Sequence, residues 1–205
     1  MTKSNTAMGC LELIGTKIFP IILSVISLVL STFNLYVNSL RAPNISFTVA
    51  PYVSHVVDNN SGNEAFFIPL TAINRGARPG TILSFELTVT QLSSQKQASY
   101  FGQYYAKPDE QRLIGDSFSP MTIQGYSTDS KIICFYPQGS RSGNLFSEAG
   151  EYTFEVKAVT VNINGSSSKN IAQTFRVNLT DQMVAVLNST PDGEYPFPLR
   201  IEAGQ

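Results

Sequence analysis

From Ile18 to Val37 the chain runs for twenty residues without a charge, IFPIILSVISLVLSTFNLYV. A helix of that length rises about 30 Å, the thickness of a bilayer's hydrocarbon core. Its polar members are tolerable there: Ser24, Ser27, Ser31 and Thr32 carry hydroxyls that bond back to a carbonyl one turn earlier, and Asn34 lies near the far end. Pro20 falls in the first turn, where its missing N–H costs little. Tyr36 sits at the height of an interfacial aromatic, and Arg41 and Pro43 end the helix. The pattern predicts a transmembrane helix over residues 18–41, contacting lipid through residues 18–37, after a short N-terminal segment of residues 1–17.

Beyond Arg41 the period changes from helical to two. In Thr81–Leu92, Leu83, Phe85, Leu87 and Val89 fall on one side and Ser84, Glu86, Thr88 and Thr90 on the other. Side chains alternate across a strand, so this run predicts a strand with one dry face. Glu151–Ala158 repeats the pattern through Tyr152, Phe154, Val156 and Ala158, and Ile171–Leu179 through Ile171, Phe175, Val177 and Leu179. Weaker runs cover Ile45–Val53, Ala65–Asn74, Ser99–Ala106, Met121–Gln124 and Lys131–Tyr136, and a short helix is expected from Asp181 to Leu187. Turn chemistry separates the runs: two glycines and a proline in Asn74–Gly80, and Asn164-Gly165, a dipeptide that accepts positive φ at both positions. Seven to nine short strands without long helices predict one all-β sandwich over residues 42–205.

The run Ala149-Gly150-Glu151-Tyr152-Thr153-Phe154 resembles the tyrosine corner of immunoglobulin-like domains. In those domains a tyrosine near the start of strand F bonds back to the preceding loop. Antibody domains place a disulfide cysteine two residues later, where this chain has Phe154, and no tryptophan is present to fill strand C. The resemblance is therefore to the broad immunoglobulin-like architecture over most of Ile45–Leu179. It implies strands A near 45–53, B near 65–74, C near 81–92, C′ near 99–106, D at 121–124, E near 130–136, F near 151–161 and G near 171–179.

Charge narrows the function. Charged residues make up 14% of the 205, with a formal net charge of -1, and no basic cluster marks a nucleic-acid surface. One histidine, His55, and two cysteines, Cys10 and Cys134, exclude a Cys/His zinc site and any catalysis needing two histidines. Lys3 and Lys17 precede the apolar run and Arg41 alone follows closely, so the positive-inside rule puts the N-terminus in the cytoplasm and the sandwich outside it. An uncleaved signal anchor is expected; cleavage near Val37-Asn38-Ser39, giving a secreted domain, is the alternative. Met8-Gly9-Cys10 precedes the apolar run, so it does not read as a lipidation box.

Candidate chemistry is sparse. His55 and Asp58 lack an accompanying serine or cysteine elbow, and His55 is expected in a surface turn. Cys134, within Ile132–Phe135, is expected as an inert core thiol. Asp109, Glu110, Asp181, Asp192 and Glu194 have no metal-loop spacing, so neither metal nor cofactor is expected. The aromatic run Ser99–Tyr105 supplies Tyr100, Tyr104 and Tyr105 as a candidate surface for a protein partner, with a glycan a weaker option. Arg75 and Arg78, bracketing a glycine turn, would suit a carboxylate or phosphate. Asn44, Asn59, Asn164, Asn178 and Asn188 begin sequons. Two functions follow. One is a single-pass, non-enzymatic binding protein that displays the sandwich. The other is an accessory subunit of a membrane complex, its helix packing through the small residues Ser24, Ser27 and Ser31.

Overall fold

The computed structural model describes residues 18–57, 63–106, 115–137, 145–162, 168–189 and 197–200. Cys10, Asp58, Asp109, Glu110, Asn59, Asn164, Asp192 and Glu194 lie outside the described residues. The chain divides into two compact units, Met1–Ala42 and Pro43–Gln205.

In the first unit, α1 (Phe19–Leu35) carries Pro20 in its first turn and has no buried residue. It continues as one π-helical segment, Tyr36–Leu40, before Arg41 leaves helical geometry at ψ 123°. Phe19–Leu40 is long and apolar enough to cross a membrane. Thr32 Oγ1 donates to the Leu28 carbonyl at 2.8 Å, which satisfies the hydroxyl within the helix.

The second unit is built from β1 (Ile45–Val49), β2 (Tyr52–Val57), β3 (Glu64–Asn74), β4 (Gly80–Gln91), β5 (Gln97–Ala106), β6 (Met121–Ile123), β7 (Ser127–Pro137), β8 (Gly150–Asn162), β9 (Ser168–Leu179), α2 (Asp181–Ser189) and β10 (Phe197–Arg200). All pairings are antiparallel. One layer runs β10-β2-β3-β7, with β1 also on β3; the other runs β4-β8-β9, with β6 on β4. The fold is thus an all-β, immunoglobulin-like sandwich on a chain with one N-terminal apolar helix. The predicted strand A is two strands, broken at Ala50-Pro51, and β10 has no counterpart in the sequence reading.

β5 joins the layers. Its first half pairs with β4 and its second half with β7, and the register slips between Gly102 and Tyr104. A bulge of this kind is how a strand turns a sandwich corner. On the far side the Gln173 side chain accepts the Val49 N–H at 3.0 Å, linking β1 to β9.

Rings from the two layers meet in the core: Phe47 with Phe85 at 5.9 Å and Phe66 with Phe154 at 5.6 Å. Phe85, Leu87 and Val89 face inward as the alternation predicts, but Leu83 does not. A register shift between Ile82 and Ser84 hands the inward position to Ile82 and leaves Leu83 exposed.

Candidate partner-binding face

The bulge in β5 sorts its three tyrosines. Tyr100 and Gly102 point inward; a Cβ on Gly102 would stand 3.0 Å from Ile133 Cγ2 and 3.4 Å from Phe85 Cβ. Gln103 is the extra residue, so parity reverses: Tyr104 pairs with Cys134 and faces outward, and Tyr105 pairs with Ile133 and turns inward. Tyr105 packs on the Phe118 ring at 5.2 Å and donates to the Ser119 carbonyl at 2.6 Å, while burial pushes its phenol pKa up. Tyr100 is wholly buried, so it belongs to no surface. Of the predicted trio only Tyr104 stands on the outer face.

That outer face is apolar. Phe67 and Cys134 pair across β3 and β7, and Tyr104 pairs with Cys134 from the other side. Phe67 and Cys134 form a buried cluster with Ala65, against which Val56, Tyr104, Ala106, Ile132 and Tyr136 pack half-buried. Tyr104 and Tyr136 meet edge to face at 5.9 Å. Cys134 is buried as expected, but on the outer side of β7, whose inward residues are Ile133 and Phe135. Desolvation pushes its thiol pKa up to about 12, which leaves it inert at neutral pH. The outward residues of the other layer are polar: Glu86, Thr88 and Thr90 on β4, and Thr153, Glu155 and Lys157 on β8. Lys157 and Glu155 pair at 3.0 Å, and that carboxylate raises the Lys157 pKa. Ala65, Phe67 and Cys134 of this outward side are buried, so the half-buried Val56, Tyr104, Ile132 and Tyr136 are what it presents.

A second grouping is buried and structural. Glu64 accepts from the Leu145 N–H at 2.9 Å and from the Tyr100 hydroxyl at 3.0 Å. Burial raises its pKa, and the hydrogen bonds from Leu145, Tyr100 and Phe146 oppose that shift. Beside it, Tyr152 donates to the Glu148 carbonyl at 2.7 Å, closing the loop before β8 as the tyrosine-corner resemblance predicts. Phe146 dips from this loop onto the Tyr152 ring at 4.9 Å.

His55 is a correction. It is not in a surface turn: it lies on β2 beneath Phe66 and Phe146, with ring separations of 5.2 Å and 4.9 Å. The reason is parity, since Val53 and His55 share the inward side of β2. Desolvation lowers its pKa to about 4, so the imidazole is neutral. Its Nε2 stands 3.8 Å from Glu64, beyond hydrogen-bond reach, and has no hydrogen-bond partner. The sequence showed no sign of this proximity, because eight residues lie between the two.

Arg75 and Arg78 are exposed on the β3–β4 turn. Ser24, Ser27 and Ser31 are exposed along one side of α1. Among the described residues no three His, Cys, Asp or Glu side chains group as metal ligands.

No protein-family model matches the sequence, and no curated protein matches it. Solved structures similar to it include a Bordetella pertussis protein designated ApaA, at 12% identity and a TM-score of 0.42, covering 69% of this chain and 98% of that one. A FixG-related protein from Vibrio parahaemolyticus follows at 8% identity and 0.33, covering 68% and 97%. The CooA pilin subunit from enterotoxigenic Escherichia coli gives 11% and 0.32, covering 62% and 88%.

Proposed function

We propose that this chain is a single-pass membrane protein that displays a non-enzymatic, protein-binding sandwich outside the cytoplasm. The observation that carries the reading is the second apolar cluster, built on Phe67, Cys134, Tyr104 and Tyr136 on the outside of one layer. Aromatic side chains at a half-buried surface give large contact area for little lost entropy. The uncharged span that ends at Arg41 supports the anchor, and the lysines before it support a cytoplasmic N-terminus. The reading assigns no catalytic residue: His55 is buried and neutral, and Cys134 is held as a thiol.

The second reading, an accessory subunit, rests on Ser24, Ser27 and Ser31 lying exposed on one side of α1. Photo-crosslinking in native membranes separates the two. A benzophenone side chain in place of Tyr104 should give one discrete adduct, and the same group in place of Thr153 on the polar face should give none. Equal labelling at both positions overturns the proposed face. An adduct from position 27 with none from position 104 favours the subunit.

A further inference from the structure

Three segments of the sandwich are knotted around Asn74, at the end where the chain enters it. The Asn74 side-chain oxygen accepts the N–H groups of Asn44 at 3.0 Å and Gly76 at 2.9 Å, and its amide donates to the carbonyls of Arg78 at 2.8 Å and Ile123 at 3.2 Å. Arg75 N–H donates to the Asn44 carbonyl at 3.0 Å. All the hydrogen-bonding capacity of this buried amide is spent on holding the Arg75–Arg78 turn, the entering strand and the end of β6 together. The next turn lies against it. Tyr126 N–H donates to the Gly76 carbonyl at 2.9 Å, and Gly125 approaches Ala77 so closely that a Cβ there would overlap the Ala77 carbonyl oxygen. Tyr126, at φ 52°, is 49% exposed on this turn.

Asn44 is four residues past Leu40, the last residue of the helical span. An extended chain covers at most about 3.6 Å per residue, so Asn44 stays within about 15 Å of that span in any orientation of the domain. If residues 18–37 cross a bilayer, two exposed guanidinium groups and an exposed phenol are held within reach of its surface. Guanidinium matches phosphate geometry in a bidentate way, and tyrosine favours the headgroup layer. The nearest described acid on β7, Asp129, is engaged with Lys131 at 3.7 Å.

We propose that this rim binds the phosphodiester headgroups of anionic phospholipids, with Arg75 and Arg78 as the phosphate ligands and the Tyr126 ring at the interface. The proposal rests on the membrane anchor argued above and adds a lipid partner to it. Each arginine near a charged bilayer surface is worth about fivefold in partition, so the pair gives about 25-fold.

The test uses the full chain carrying Cys10→Ser, reconstituted into vesicles of phosphatidylcholine with or without phosphatidylglycerol. A nitroxide is placed at Gln124→Cys in the rim turn or at Ser93→Cys in the exposed β4–β5 turn. With phosphatidylglycerol, the Gln124 label should lose most of its collisions with an aqueous nickel chelate while the Ser93 label keeps them. High salt, or the double variant R75Q/R78Q, should restore the collisions. The lipid comparison uses unaltered arginines, so it does not depend on the variant folding. The proposal is overturned if the Gln124 label is equally accessible with and without phosphatidylglycerol while the chain still floats with the vesicles. Failure to float takes the anchor down and the proposal with it.

Discussion

The phenol of Tyr100 donates to Glu64 across 3.0 Å inside the core, and both residues are almost wholly buried. The bond fixes β5 to β3 through a carboxylate that also holds the Leu145 N–H at the corner loop. A buried carboxylate left short of a donor pays its desolvation without compensation. Three segments distant in sequence therefore depend on one acid.

Tyr100→Phe keeps the ring and removes that donor. Hydrogen bonds to charged groups contribute about 1.5–3 kcal/mol, so urea unfolding of the variant should show a stability loss in that range. An unchanged midpoint would mean that Glu64 is satisfied without Tyr100.

Acid should destabilise the sandwich through His55. Its folded pKa, about 4, lies below the ordinary histidine value of 6.5, so the unfolded chain takes up the proton first. The stability from keeping it neutral is fully present above pH 6.5 and is lost as pH falls toward 4, reaching about 3 kcal/mol at the lower limit. Glu64 has the opposite sign: its raised folded pKa makes the native state take that proton first. The observed slope is the difference between the two. His55→Leu should flatten the fall in stability between pH 6.5 and 4, measured by denaturant midpoints; an unchanged slope would place the titration elsewhere.

The tyrosine corner makes a separate prediction. Tyr152→Phe loses the bond to the Glu148 carbonyl and the longer one to the Leu145 carbonyl, and keeps the ring in the core. A loss of about 1 kcal/mol is expected in the same unfolding experiment. Burial raises the Tyr152 pKa and the nearby Glu148 charge raises it further, so its phenol should stay protonated well into alkaline solution.

Cys134 should resist alkylation in the folded chain. With its thiol pKa pushed to about 12 and its side chain buried, iodoacetamide at pH 8 should leave it unmodified in a Cys10→Ser background and modify it in urea. Mass spectrometry reads the outcome, and rapid native labelling would show that the outer apolar cluster opens in solution.

These residues also show how far the sequence could be read. The helix was legible because an uncharged twenty-residue run has few other uses, and Tyr152 because its spacing from Gly150 and Phe154 reports a known corner. Strict alternation misplaced Leu83, and the aromatic run grouped Tyr100, Tyr104 and Tyr105 by density alone; each of β4 and β5 carries an extra residue that reverses parity and decides which side chains face out. Bulges leave no reliable mark in composition. The outer cluster was hidden because it gathers residues from four strands distant in sequence, and His55 with Glu64 because the energetics of that pair come from burial, which only the fold supplies.

The central claim is that residues 18–37 hold this sandwich on a membrane. Alkaline carbonate washing of membranes containing the full chain, followed by flotation and intact-mass measurement, tests it most directly. The chain should float with the lipid at its full 22.4 kDa. Recovery of the uncleaved chain in the carbonate supernatant would contradict the account.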